Sequence, residues 1–260
     1  MSRIASAFAA AAAENRAALV CYLMSGYPTP ERYLQDAQKL LETCDLLEVG
    51  IPFSDPLGDG PTVQRAGERV LADGMTTERA FRLLRDLRAR TDKPLVAMTY
   101  YNPIFCYPGG PAAFAAALKA AGGDGVILPD LPPDEGEEFI EAAREVGLDT
   151  VFLIAPTSTD ERLKLVTSAC RGFVYAVSVT GVTGARSSVG ADVAGMVARA
   201  KAVTGLPIAV GFGVSSRETA AAIGAYADGV VVGSALLSAQ ERGADLGEFV
   251  GELAAGCRRG

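Results

Sequence analysis

Short apolar runs recur along the chain, each bounded by Gly, Pro or Asp. They read ALVCYLM from Ala18, LLEVG from Leu46, LVAMT from Leu95 and GVILPD from Gly125. They continue as TVFLIAP from Thr150, FVYAVSV from Phe173, PIAVGFG from Pro207 and DGVVVGS from Asp228. Their length and near-continuous apolarity predict eight strands buried on both faces. Between them the apolar positions recur with a helical period, in PERYLQDAQKLLETC from Pro30, TERAFRLLRDLRAR from Thr77, AAFAAALKAAGG from Ala112 and DEGEEFIEAAREVG from Asp134. Three more follow, DERLKLVTSAC from Asp160, DVAGMVARAKAVTG from Asp192 and SSRETAAAIGAYAD from Ser215. Capping residues sit where helices should begin, at Thr29-Pro30, Thr159-Asp160 and Ser215-Ser216.

Alternating strands and helices of this kind give an all-parallel sheet covered by helices, and eight units predict closure into a (β/α)8 barrel, one α/β domain over residues 1–260. An open doubly wound sheet is the alternative, but no G-x-G-x-x-G follows the first strand. The Ala-rich beginning has the small residues of a leader peptide, but Glu14, Asn15 and Arg16 interrupt it, so an extra N-terminal helix feeding the first strand is expected. No apolar run approaches the roughly 20 residues of a membrane helix.

A formal net charge of −7 without any run of Lys or Arg argues against a nucleic-acid partner. The five cysteines (Cys21, Cys44, Cys106, Cys170 and Cys257) are widely spaced, which points to reduced thiols and a cytoplasmic setting. The chain has no histidine. His-ligated zinc, Ser-His-Asp nucleophiles and imidazole acid–base work are therefore out of reach, no metal is expected, and proton transfer falls to carboxylates with Tyr or Lys in support.

In a barrel the chemistry sits at the carboxyl ends of the strands. Glu48 interrupts the apolar second strand in period-2 register with Leu46 and Gly50. It is either half of a structural ion pair or a site group. Asp59 follows in a loop stiffened by Pro56, Gly58, Gly60 and Pro61, where it is either a turn-former or a second carboxylate held at fixed distance. After the seventh strand Gly211-Phe212-Gly213-Val214-Ser215 runs into a helix, and after the eighth comes Gly233-Ser234-Ala235. Two Gly-rich strand-to-helix turns at the last two strands suit a phosphate. The stretch SVTGVTGARSSVGAD from Ser178 is long for a simple connection and reads as a lid.

The string LLEVGIPFSDPLGDGPTVQ closely resembles the signature of tryptophan synthase α chains. The likeness runs nearly end to end, through YLMSGYPTPE from Tyr22, YYNPIF from Tyr100, LPDLPPDE from Leu128, SVTGVTGAR from Ser178 and GFGVSS from Gly211. The resemblance implies a carbon–carbon lyase that splits indole-3-glycerol phosphate into indole and D-glyceraldehyde 3-phosphate. It implies no cofactor on this chain and a β-chain partner, in an α2β2 assembly, that carries pyridoxal phosphate. A stand-alone lyase releasing free indole and a weakly active barrel that activates a β-type partner are the alternatives. By the same resemblance Glu48 and Asp59 are the catalytic pair and Tyr175 orients the carboxylate. Gly184, Gly211, Phe212, Gly213, Gly233 and Ser234 would hold the phosphate. Tyr22, Met98, Tyr100, Ile127, Leu153 and Thr183 would form the pocket and lid. The segment from residue 103 to 113 is longer than the family pattern, on the face where the β chain docks.

Overall fold

A computed structural model describes residues 1–177, 186–211 and 213–259, with the side chains of 186–191 outside that description. The parallel strands are β1 (Ala18–Met24), β2 (Leu46–Gly50), β3 (Leu95–Met98), β4 (Gly125–Ile127), β5 (Asp149–Val151), β6 (Leu153–Ile154), β7 (Val174–Val177), β8 (Ile208–Gly211) and β9 (Gly229–Val232). They pair in the order β5-β4-β3-β2-β1-β9-β8-β7-β6. β5 and β6 are two halves of one expected strand. Its first half pairs with β4 and its second with β7, so the chain itself closes the ring at Phe152. Closing a sheet requires tilted, staggered strands, and a short strand in such a stagger meets its two neighbours at different heights.

Around the strands run α1 (Arg3–Ala13), α2 (Pro30–Thr43), α3 (Pro61–Ala72), α4 (Thr77–Arg88), α5 (Tyr101–Phe105) and α6 (Gly110–Ala120). After a 3-10 turn at Pro133–Glu135 come α7 (Glu137–Glu145), α8 (Asp160–Ala169), α9 (Arg186–Lys201), α10 (Arg217–Gly224), α11 (Ser234–Glu241) and α12 (Leu246–Gly256). The side chains of Thr29, Thr159 and Ser216 accept the backbone N–H groups that open α2, α8 and α10, as their positions in the sequence predict. Four helices lie where the sequence carries no assigned helical period: α3, α5, α11 and α12. α9 begins at Arg186, inside the stretch expected to be a lid, which leaves a shorter connection between β7 and α9. The longer 103–113 segment is the end of α5, a turn at Gly109 and Gly110 with φ of 90° and 76°, and the start of α6.

Two cores result. One lies between strands and helices. The other fills the barrel, where Val20, Leu46, Val96, Ile127, Val151 and Phe173 meet Ile4 and Phe8 of α1. The parallel register joins inward residue to inward residue around the ring: Tyr22 faces Glu48, Glu48 faces Val96, and Leu153 faces Tyr175. The N-terminal helix therefore plugs the bottom of the barrel, pinned by Ser2 Oγ donating to Asp149 at 2.5 Å and Arg3 to Asp124 at 3.0 Å. With the lower end packed shut, the carboxyl-terminal mouth is where a substrate can enter.

Candidate active site

Glu48 occupies the middle position of β2 and points inward because the period-2 alternation that buries Leu46 gives it no other direction. It is 1% exposed, and neither carboxylate oxygen has a hydrogen-bond partner among the described residues. The other buried acids differ. Asp124 is held by Arg3 at 3.0 Å and Arg88 at 2.6 Å, Asp36 by Arg32 at 2.9 Å, and Asp149 by Ser2. Of the two roles open to Glu48 from sequence, the structural ion pair is absent among the described residues. A carboxyl group buried without a partner keeps its proton to higher pH, since desolvation disfavours the charged form. Burial accordingly pushes Glu48 up to about 8.

Asp59 lies on the adjoining loop between β2 and α3. Burial raises its carboxyl to about 6, while the Tyr100 hydroxyl draws it down. The Tyr100 hydroxyl also accepts the Gly58 N–H at 2.9 Å and stacks its ring on Phe53 with centroids 5.5 Å apart. The two carboxyls thus share one mouth but favour different protonation states near neutrality, Asp59 charged and Glu48 neutral.

Two tyrosines complete the wall. The hydroxyls of Tyr22 and Tyr175 are pushed upward by burial and then by both carboxylates; Asp59 weighs more on Tyr22 and Glu48 more on Tyr175. Each ring lies over an inward glycine: a methyl group on Gly50 would collide with Tyr22, and one on Gly211 with Tyr175. Gly211, expected at the phosphate, therefore also makes room for an aromatic wall. Tyr175 faces Glu48 without hydrogen-bonding it.

A cleft at Asp59 is lined by Tyr22, the register neighbour of Glu48, with Met98 and Tyr100, joined by Met24 and Phe53. Leu153 is half-buried beside Tyr175 in the ladder. Ile127, the register partner of Met98, is fully buried in the packed interior and does not line this cleft. Met24 and Phe53 were missed; both sit at or just past a strand's carboxyl end, which is the signal that finds them.

Next to Tyr22, α11 starts at Gly233-Ser234 with no side-chain cap, and the N–H groups of its start leave an anion-binding end. The N–H groups of Ser215 and Ser216 before α10 instead donate to Thr219 Oγ1, each at 3.0 Å. Gly213 is exposed and takes a positive φ of 59° ahead of them. Phe212, Thr183 and Gly184 lie outside the described residues. Among the described residues no group of three or more His, Cys, Asp or Glu could hold a metal ion.

Such a mouth suits acid–base chemistry on a small anionic substrate and places the chain among the parallel-barrel enzymes. Residues 8–254 match the sequence profile of the family described as tryptophan synthase alpha chain. The chain is 52% identical to the tryptophan synthase alpha chain of Deinococcus radiodurans over all of itself and 96% of that protein. It is 49% identical to that of Mycobacterium marinum over 99% of itself and 96% of the relative. A crystal structure of tryptophan synthase from M. tuberculosis superposes with a TM-score of 0.91 at 43% identity, covering both chains completely. A solved structure of a protein from Aquifex aeolicus gives 0.92 at 42%, again with full coverage of both. The chain belongs to the tryptophan synthase alpha chain family.

Proposed function

We propose that Glu48 and Asp59, within one barrel domain, cleave indole-3-glycerol phosphate to indole and D-glyceraldehyde 3-phosphate. The chain acts as the α subunit of tryptophan synthase in tryptophan biosynthesis. It needs no cofactor of its own; pyridoxal phosphate belongs to the β chain. The observation that carries the residue assignment is the buried carboxyl of Glu48, which has no partner among the described residues, whereas the other described buried acids, Asp36, Asp124 and Asp149, are each held by a partner.

In this reading the charged Asp59 accepts the indole ring N–H and stabilises positive charge as it grows on nitrogen. Protonated Glu48 delivers its proton to C3, which turns the indole into an indolenine. Glu48, now a carboxylate, takes the proton of the glycerol hydroxyl next to C3. The carbon–carbon bond breaks, its electron pair returns to the ring to neutralise the nitrogen, and an aldehyde leaves. Glu48 ends protonated as it began. Tyr22, Met98, Tyr100, Phe53 and Leu153 give the apolar surface for the ring, with Tyr175 beside Glu48. The open turns at Gly213 and Gly233-Ser234 receive the phosphate, joined by Gly211 and Phe212, and by Thr183 and Gly184 of the lid.

The β chain would dock on the face that carries this mouth. There Leu57, 94% exposed after β2, and Phe105, 63% exposed after β3, present apolar surface to solvent. No described helix is long and apolar enough to cross a membrane. All five cysteines are free, which supports a cytoplasmic site of action.

The test is indole release from indole-3-glycerol phosphate by the purified chain, alone and with a tryptophan synthase β chain. Slow release that rises with the β chain supports the subunit reading. Equal fast release in both would make the chain a stand-alone lyase, and none in either would overturn the activity.

A further inference from the structure

The loop that carries Asp59 has little of its own to hold it. Ser54, Asp55, Leu57, Gly58 and Gly60 are all exposed. The helix it feeds, α3, opens on Gly60 and Pro61, so no side chain caps it. Within the loop, Leu57 N–H donates to Asp55 O at 3.0 Å and Asp59 N–H to Pro56 O at 3.1 Å. Among the described residues, two side chains reach its backbone from outside. Tyr100 accepts the Gly58 N–H, and Gln64 Nε2 donates to the Asp59 carbonyl at 2.9 Å and to Pro56 O at 3.4 Å.

Gln64 stands one turn into α3, with its backbone N–H on Gly60 O at 3.0 Å. Its side chain folds back over the helix start. Polar side chains at a helix start ordinarily accept backbone N–H groups. Here the amide donates to carbonyls instead, and because Pro56 O also receives the Asp59 N–H, it ties the start of the loop to its end.

We propose that Gln64 is a positioning residue for catalysis, whose amide fixes the backbone of Asp59 so that the carboxylate stays in the cleft beside Glu48. This rests on the reading of Asp59 as the partner of the indole ring N–H. A misplacement of about 1 Å can cost roughly 100-fold in rate. The loss falls on kcat, because the Asp59 charge counts most when positive charge develops on the ring nitrogen.

The test compares Gln64→Glu and Gln64→Leu in the full chain, each alone and with Asp59→Asn, by kcat and KM for indole release and by thermal unfolding. Glu keeps the length of Gln but turns donors into acceptors facing two carbonyls. A residue serving only the helix would tolerate Gln64→Glu or gain from it, since a carboxylate near a helix start is favourable. The proposal expects kcat to fall roughly 10- to 100-fold in both single variants with KM within about threefold. It expects Tm to stay within a few degrees, and Gln64→Glu to add no further loss on top of Asp59→Asn. Wild-type kcat in both single variants, or losses that multiply in the double variant, would overturn the proposal and leave Asp59 standing. Wild-type turnover by Asp59→Asn would instead overturn the reading beneath it, and the proposal with it.

Discussion

A glutamate buried without a counter-ion costs stability, and for Glu48 that cost depends on pH. Its proton is held up to about pH 8 in the folded chain and released near 4.3 in the unfolded one. Between those values the folded state binds more protons, so stability falls as pH rises from about 4.5 to about 8 and the cost is absent below that window. Glu48→Gln removes the cost. Its Tm should exceed that of the parent by roughly 10 °C at pH 8, and the gain should shrink to a small remainder at pH 5. A difference independent of pH would show that Glu48 is not held neutral by burial. In the proposed mechanism the same proton enters catalysis. With Glu48 needed protonated at the outset, kcat/KM should fall above about pH 8, and a profile flat to pH 9 would contradict that role. Asp59→Asn, which keeps the shape and loses the charge, should slow indole release by roughly two orders of magnitude or more; turnover like the parent would return Asp59 to a turn-former.

At the scale of elements, most of the barrel was legible because its strands are short, apolar and inward-alternating. Glu48 stood out for the same reason, as a charge in a register otherwise filled by Leu46 and Gly50. α3 was obscured by its Pro- and Gly-rich approach, although Pro61 at its first position and Val63, Ala66 and Val70 along one face mark it. The start of α9 was hidden by the Ser and Gly residues that read as a lid. The split of β5 and β6 at Phe152 reflects barrel stagger, which no local pattern carries. The pairing of Tyr22 with Gly50 and of Tyr175 with Gly211 is likewise a matter of neighbours in space. It gives a prediction: Gly211→Ala forces a methyl group into the Tyr175 ring and should cost roughly 1–3 kcal/mol, read by denaturant unfolding. Adding Tyr175→Leu should recover part of that loss, and additive losses would contradict the contact.

For the whole molecule, one end of the barrel is closed and the other carries all the chemistry. α1 fills the lower end with Ile4 and Phe8, while Glu48, Asp59, two tyrosines and the uncapped start of α11 surround the upper one. Exposed apolar side chains sit on the same upper loops, so a partner docking there would meet the loops that hold the catalytic groups. Phe105→Asp should weaken association with the β chain by tenfold or more, about 1.4 kcal/mol, in a titration of indole release against added β chain, with the basal rate of the isolated chain unchanged. Unaltered association would move the docking face elsewhere. The most direct test of the account is the rate of indole release from indole-3-glycerol phosphate by Glu48→Gln beside the parent chain at pH 7. The account predicts a loss of roughly two to four orders of magnitude in a variant that is folded and at least as stable. A rate near that of the parent would contradict it.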